Sequence, residues 1–399
     1  MSGHYRFRRS FGNVGSLFRG ARPDTYPRLT GLLDTYGGAA AAYSLRALSS
    51  GWIAGDVVEV RPSSGWTPAS FTAGQVANGE LVDYVKRPGN FTNFPANGFE
   101  TLVNNGTGDG FFAINTSQFG IAQSFTVSGV ASNEVTIDFD LSITSGSPSC
   151  QLRSGQDTAS ASVLPASGSN SITLTATGVF DNFSFTDGDV PSEFTVSNVR
   201  VSTNDGFVST WYDQSGNGND ATQATTTSQP KIVSAGSLVT GGLDFDGADD
   251  YMQSAAFTAI SQPTTRIAVA NFSNVGATRY VIDGSVANRG VIGTTSAPAW
   301  RIFAGTVANY ATGPSVSTDY LLFGKNSGAS SELSVNGVGL GLKDAGTAAL
   351  DQVTIGANAA NTTNGLMLGT INEIIVYGSD QSANRVGIEA NINAAYSIY

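Results

Sequence analysis

Four tryptophans, Trp52, Trp66, Trp211 and Trp300, stand among short polar side chains in this 399-residue sequence. A flat aromatic face takes the apolar side of a sugar ring, while neighbouring Ser, Thr and Asn side chains hydrogen-bond its hydroxyls. Trp66 and Trp300 lie beside turn residues, where a ring can face solvent, with Tyr280 and Tyr310 as aromatic partners. Trp211 is flanked by strand residues and reads as core. Phe94, Phe99, Phe112 and Phe119 punctuate polar turns further upstream. The candidate glycan-binding residues are therefore Trp66, Trp300, Tyr280, Tyr310 and Phe112.

A second chemistry, glycoside hydrolysis, needs two carboxyl groups about 5–5.5 Å apart for retention or about 6.5–9.5 Å apart for inversion. The acids on offer each have a structural role at hand. Asp249 and Asp250 sit in the turn of FDGADDYM, and Asp213 in WYDQSG braces a turn. Glu332 opens a strand beside the hairpin signal Asn336-Gly337, and Glu373 lies in an apolar strand. No catalytic residue is assigned, and the chain is expected not to be an enzyme. No cofactor is expected, although clustered oxygens at Asp187 and Asp189, and at Asp246 and Asp249, are of the kind that suits calcium. One cysteine, Cys150, and one histidine, His4, exclude an internal disulfide and a multi-cysteine zinc site, and disfavour a histidine-based triad.

Charge is unevenly distributed. Residues 1–30 carry Arg6, Arg8, Arg9, Arg19, Arg22 and Arg28 against one acid, Asp24, in a chain whose formal net charge is −11. Apolar anchors are interleaved: Tyr5, Phe7, Phe11, Leu17 and Phe18. A basic, aromatic leader before an acidic body reads as a docking arm for a protein partner, carried by Arg6, Phe7, Arg8, Arg9, Phe11, Phe18 and Arg19, rather than as a nucleic-acid binder.

The elements behind these residues are read from composition and periodicity. Charged residues are 13% of the chain, about half the usual ~25%, so the surface is solvated by short polar side chains typical of strands and turns. No apolar run approaches the ~18 residues of a membrane span. An apolar signal-peptide segment is also lacking, so assembly in a reducing cytoplasm is expected. Residues 31–50 (GLLDTYGGAAAAYSLRALSS) have helical spacing, 56–61 (DVVEVR) alternate as a strand, and 72–86 read as a second helix or pair of turns. Short strands separated by Gly/Ser/Asn/Asp turns fill 88–203 and resume after 204. The end, 384–396, carries a helical stripe of Val386, Ile388, Ile392 and Tyr396. No fixed repeat points to a propeller or solenoid.

The segments GGAAAAYSLRALSS, VVEVRPSSG, GFVSTWYDQSGNGNDATQ and QPKIV resemble the framework of the arabinofuranosidase B family, and phage and bacterial surface proteins carry similar sequences. LDFDGADDYM, ELSVNGV, VTIGAN and TINEIIVYGSDQSANRVGIEANI look like a concanavalin A-like, laminin G-like jelly roll. In that family the second helix runs directly into GFVSTWYDQSG, so residues 88–203 are expected to be an inserted β-sandwich. Its pieces NGFETL, VTIDFDLSIT and FTVSNVRVS look like a carbohydrate-binding module. The expected organisation is a basic arm (1–30), a discontinuous all-β jelly-roll domain (31–87 and 204–399) and the insert (88–203).

The missing signal-peptide segment, the absence of disulfides, the basic aromatic arm and the modular glycan-binding-type domains of the resemblance together point to a bacteriophage virion surface protein, such as a tail fibre, head fibre or capsid decoration, with lectin-like domains for host-surface glycans. Its partners would be other virion proteins through the arm and cell-surface glycans, without nucleic acid or membrane insertion. It would be a homo-oligomer, with a trimer suited to a fibre, assembled in the host cytoplasm and displayed on the virion surface. The alternative is a glycoside hydrolase of arabinofuranosidase type.

Overall fold

The computed structural model describes residues 31–63, 67–86, 91–92, 112–115, 121–129, 134–154, 157–158, 160–186, 193–201, 204–359 and 362–399. The docking arm, Arg6, Phe7, Arg8, Arg9, Phe11, Phe18 and Arg19 included, lies outside the described residues. So do Trp66, Asp187 and Asp189.

The chain is all-β, built on antiparallel pairings. One layer runs in the order Val338–Lys343, Ser331–Val335, Asp319–Asn326, Thr264–Phe272 and Leu368–Tyr377. The far edge of the last strand is shared by Leu243–Asp246 and Ala39–Ser44. A facing layer runs Ala69–Thr72, Asp56–Pro62, Gly206–Trp211, Ala221–Thr222, Met252–Ser254, Thr354–Ile355, Arg279–Asp283, Val291–Thr294, Trp300–Phe303 and Val307–Asn309. Lys231–Ser234 pairs with strands of both layers and nearly closes the sheet.

Burial shows which faces are covered. Strand Thr264–Phe272 sends Ala268, Ala270 and Phe272 into the core between the layers. Its alternate residues Ile267 and Val269 enter a second core under the C-terminal helix Arg385–Tyr396, with Ile388, Ile392, Leu32 and Leu48. A strand covered on both sides reads as a continuous apolar run instead of an alternation. The facing layer sends Ile282, Ile292, Trp300, Ile302 and Ala308 into the shared core.

That double burial explains the main departure from the sequence-based expectation. Residues 31–50 are not a helix: only Leu32–Thr35 is helical, and Ala39–Ser44 is a strand buried along its whole length. Ala41 and Tyr43 face one core while Ala39 and Ala42 face the other. Small side chains let sheet and covering elements approach from both sides, and this packing overrides alanine's helix propensity. Residues 72–86 do form helices, Ala73–Ala77 and Glu80–Val85.

Between 91 and 201 the described strands pair only with one another. They form a four-stranded sheet (Gly168–Thr175, Glu134–Ser145, Glu193–Val201, Phe112–Asn115) and a five-stranded sheet (Phe91–Thr92, Ile121–Gly129, Phe180–Thr186, Ser149–Ser154, Asp157–Thr158). Phe139, Phe183, Phe185, Phe194, Leu152 and Cys150 fill their own core. Phe185 meets Phe139 edge-on at 5.1 Å between centroids, a favoured aromatic geometry. Cys150 is a packed apolar residue whose thiol is pushed up to about 12 by burial.

Candidate functional site

Strand parity decides which aromatic side chains can meet a ligand. Trp300 and Ile302 point inward, and Trp300 is only 2% exposed, edge-on to Phe272 and Tyr320 at 5.8 and 5.0 Å. Tyr310 is buried as well, and its hydroxyl accepts a hydrogen bond from the Leu333 N–H at 2.9 Å. The expectation that Trp300 and Tyr310 bind glycan is therefore corrected: both rings are core. A neighbouring turn does not expose a ring whose strand parity turns it inward. Phe112 opens strand Phe112–Asn115, and its side chain lies outside the described residues.

The same parity turns Tyr280, Arg301 and Phe303 outward. Tyr280 stands opposite Gly293, Gly293 opposite Arg301, and Arg301 opposite Asn309. In the adjoining row Val291 is opposite Phe303, and Phe303 opposite Val307. Tyr280, Arg289, Val291, Arg301, Phe303 and Val307 line a shallow pocket of about 90 Å³. Two glycines seat the tyrosine. A Cβ on Gly293 would come within 3.0 Å of one edge of its ring, and a Cβ on Gly365, at φ +65°, within 2.5 Å of the other.

Arg289 reaches the pocket from the turn after strand Arg279–Asp283. That turn is tied to the wholly buried Asp283, whose Oδ1 accepts from the N–H groups of Gly284 (2.8 Å) and Gly290 (2.9 Å). Its Oδ2 accepts from the Ala359 N–H at 3.0 Å and from Arg289 Nε at 2.5 Å. The Arg289 guanidinium sits 5.6 Å from the ring centroids of both Tyr280 and Phe303, within cation–π range. Below the turn, the buried Arg266 packs so closely that a Cβ on Gly290 would lie 2.1 Å from its Nη2. Burial pulls the Arg266 pKa down to about 10, a shift opposed by the charge of Asp283.

Arg301 is oriented through one bond, Nε to Asn309 Oδ1 at 2.9 Å. Among the described residues, no protein acceptor takes the Nη hydrogens of Arg289 or Arg301, and no carboxylate lines the pocket. Two guanidinium forks thus border an apolar floor. Of the sequence candidates, Tyr280 alone among the described residues lies here. Sequence reading missed Arg289, Arg301 and Phe303, although the alternation Trp-Arg-Ile-Phe at 300–303 would have placed Arg301 and Phe303 together once Trp300 was taken as core.

A larger cavity, about 200 Å³, lies beside the C-terminal helix and is lined by Phe323, Lys325, Glu332, Ser334, Ser382 and Arg385. Its charges are of both signs. Lys325 lies 3.9 Å from Asp380, and Arg385 lies 3.9 Å from Glu389. Phe323 is 3% exposed, so no aromatic face is presented there. The smaller pocket is the better ligand site on chemistry.

Of the acids considered above, Glu332 lines the larger cavity, while Glu373, Asp213, Asp246, Asp249 and Asp250 have structural partners. Glu373 accepts from Ser44 Oγ (2.9 Å), Tyr396 OH (2.9 Å), Arg46 Nε (2.8 Å) and Arg46 Nη2 (3.1 Å), fastening the C-terminal helix to the sheet. Asp213 accepts from the N–H groups of Ala42, Ser215 and Asn219. Asp246, Asp249 and Asp250 bring carboxylate oxygens within 4.8 Å of one another. These oxygens hold their own turn: Asp246 accepts from the Ala248 N–H, Asp249 from Ser228 Oγ and Asp250 from the Asp246 N–H. Burial raises the Asp250 pKa to about 7.

No protein-family model and no curated protein matches the chain. Solved structures do. A Trypanosoma rangeli sialidase in complex with the inhibitor DANA matches at 12% identity and a TM-score of 0.33, over 45% of this chain and 30% of that one. The same sialidase as a covalent intermediate with 2,3-difluorosialic acid matches at 11% identity and TM-score 0.36, over 47% and 31%. The CBM40 of a Ruminococcus gnavus sialidase, bound to alpha2,3 sialyllactose, matches at 12% identity and TM-score 0.28, over 35% of this chain and 95% of that one. This chain spans less than a third of the trypanosomal sialidases. The expectation that the chain is not an enzyme is corrected by these matches, because the structures it resembles include sialidases.

Proposed function

We propose that this chain binds glycans through the Tyr280–Phe303 pocket. The observation that carries the reading is the pocket itself. The outer sheet face holds two half-buried aromatic rings, Tyr280 and Phe303, beside Val307, which is 52% exposed, and these are bordered by guanidinium and amide groups. Apolar ring faces with a few convergent polar groups are what a saccharide needs to be oriented. A glycan array on the full chain, repeated with Tyr280→Ala, tests it. Binding that Tyr280→Ala abolishes while the variant remains fully folded at the assay temperature supports the site, and a blank array overturns it.

The finer reading is that the protein is a component of a phage virion, displayed on its surface with the basic arm docked on the particle. It is supported by the interleaved Arg and Phe residues of the arm and by the modular β-domains behind it. Many copies on one particle would convert weak single-site contacts into avidity. Deleting residues 1–30 is expected to leave a folded body that no longer joins the particle. Normal incorporation of the truncated chain would overturn the docking role.

A further inference from the structure

Resting on that reading of the pocket, we infer that its ligand is an acidic saccharide, whose anionic group is held by Arg301 with Arg289 beside it. Three observations converge. Each guanidinium is oriented through Nε alone, Arg289 on Asp283 and Arg301 on Asn309, which leaves the Nη atoms directed elsewhere. A planar fork with unspent donors is the geometry that pairs bidentately with a carboxylate or another oxyanion. The lining contains two cations and no acid, in a chain of formal net charge −11. Asp283 compensates Arg289, but it is sealed beneath the turn and is 0% exposed at its side chain. The positive charge facing solvent therefore centres on Arg301.

Size points the same way. The pocket is small, about 90 Å³. It suits one substituent of a sugar, such as a carboxylate, while the sugar ring lies across the apolar surface of Phe303 and Val307. A neutral sugar would make the apolar contacts and leave the Nη donors to water. An acidic sugar adds charge-assisted hydrogen bonds, which favour it by roughly 10- to 100-fold in affinity.

Calorimetric titration of the full chain with lactose, 3′-sialyllactose, lactose sulfate and a galacturonate oligosaccharide tests this, at low and at high salt. The expected result is that at least one acidic sugar binds about tenfold or more tighter than lactose, with the preference weakened by salt. The carboxylate and sulfate arms identify which anion is read. Arg301→Gln should erase the preference for the acidic sugars over lactose, whereas Tyr280→Ala should weaken every sugar and leave the preference in place. Equal affinity for lactose and all acidic sugars, or a preference that survives Arg301→Gln, overturns the inference while leaving the pocket as a glycan site. If no sugar binds, the glycan reading falls, and this inference with it.

Discussion

Arg289 Nε donates to Asp283 Oδ2 at 2.5 Å, tying the rim of the candidate pocket to a carboxylate fully removed from solvent. The same carboxylate accepts two N–H groups of the turn that carries Arg289 and lies within electrostatic reach of the buried Arg266. Asp283 is thus the point through which the interior charge and the pocket rim are held together. Removing one member of a buried charged set costs about 3–5 kcal/mol, because the remaining charge is left uncompensated. Asp283→Asn is expected to destabilise the fold by about that amount in urea denaturation, with sugar binding reduced as Arg289 loses its anchor. A near-neutral effect on stability would show that Arg266 does not depend on this carboxylate.

Asp250 predicts a pH dependence of definite sign. Its folded-state pKa is raised to about 7 by burial, from an ordinary 3.8. The folded state therefore holds a proton that the unfolded state has already released. The contribution to stability is full below about pH 4 and is lost as pH rises through about 7. Asp250→Asn keeps an acceptor for the Asp246 N–H and removes the titration. The variant is expected to gain stability relative to wild type between about pH 4 and 7, and to melt higher at pH 8. Identical pH profiles for the two proteins would show that Asp250 is ionised throughout that window.

What the sequence disclosed follows from how many faces each strand buries. Glu134–Ser145 is buried on alternate residues, and its period-2 pattern was legible. Ala39–Ser44 is buried on both faces, so no alternation exists to be read, and its alanines mimic a helix. Trp300–Phe303 was recognised as a strand, but which face is inward depends on the layer it packs against, and local sequence does not contain that information. For the same reason the pocket was only partly visible. Tyr280, Arg289 and Phe303 come from three separate segments and meet only through sheet register and the Asp283 turn.

Glu373 makes a separate prediction about the C-terminal helix. Ser44, Arg46 and Tyr396 all donate to this one buried carboxylate, across more than 300 residues of chain for the first two. Glu373→Ala strands the Arg46 charge, itself 26% exposed at the side chain, and should cost about 3 kcal/mol. The loss should fall first on the helix, seen as faster amide exchange over 385–396 than in wild type. Uniform exchange across the first sheet layer and the helix would instead mean that the helix is held by Ile388 and Ile392 alone.

Trp300 and Tyr280 provide the sharpest separation between packing and binding. Trp300 lies between Phe272 and Tyr320 in the core, and replacing a buried Trp with Ala costs about 3–5 kcal/mol. Trp300→Ala should therefore lower the melting temperature markedly, and any loss of sugar binding would track the fraction unfolded. Tyr280 is half-buried on the outer face, lodged between Gly293 and Gly365 rather than among core side chains. Tyr280→Ala should cost on the order of 1 kcal/mol and yet remove binding in a fully folded protein. Paired melting and titration experiments distinguish the two: if both variants lose binding only in proportion to unfolding, the outer pocket is not the glycan site.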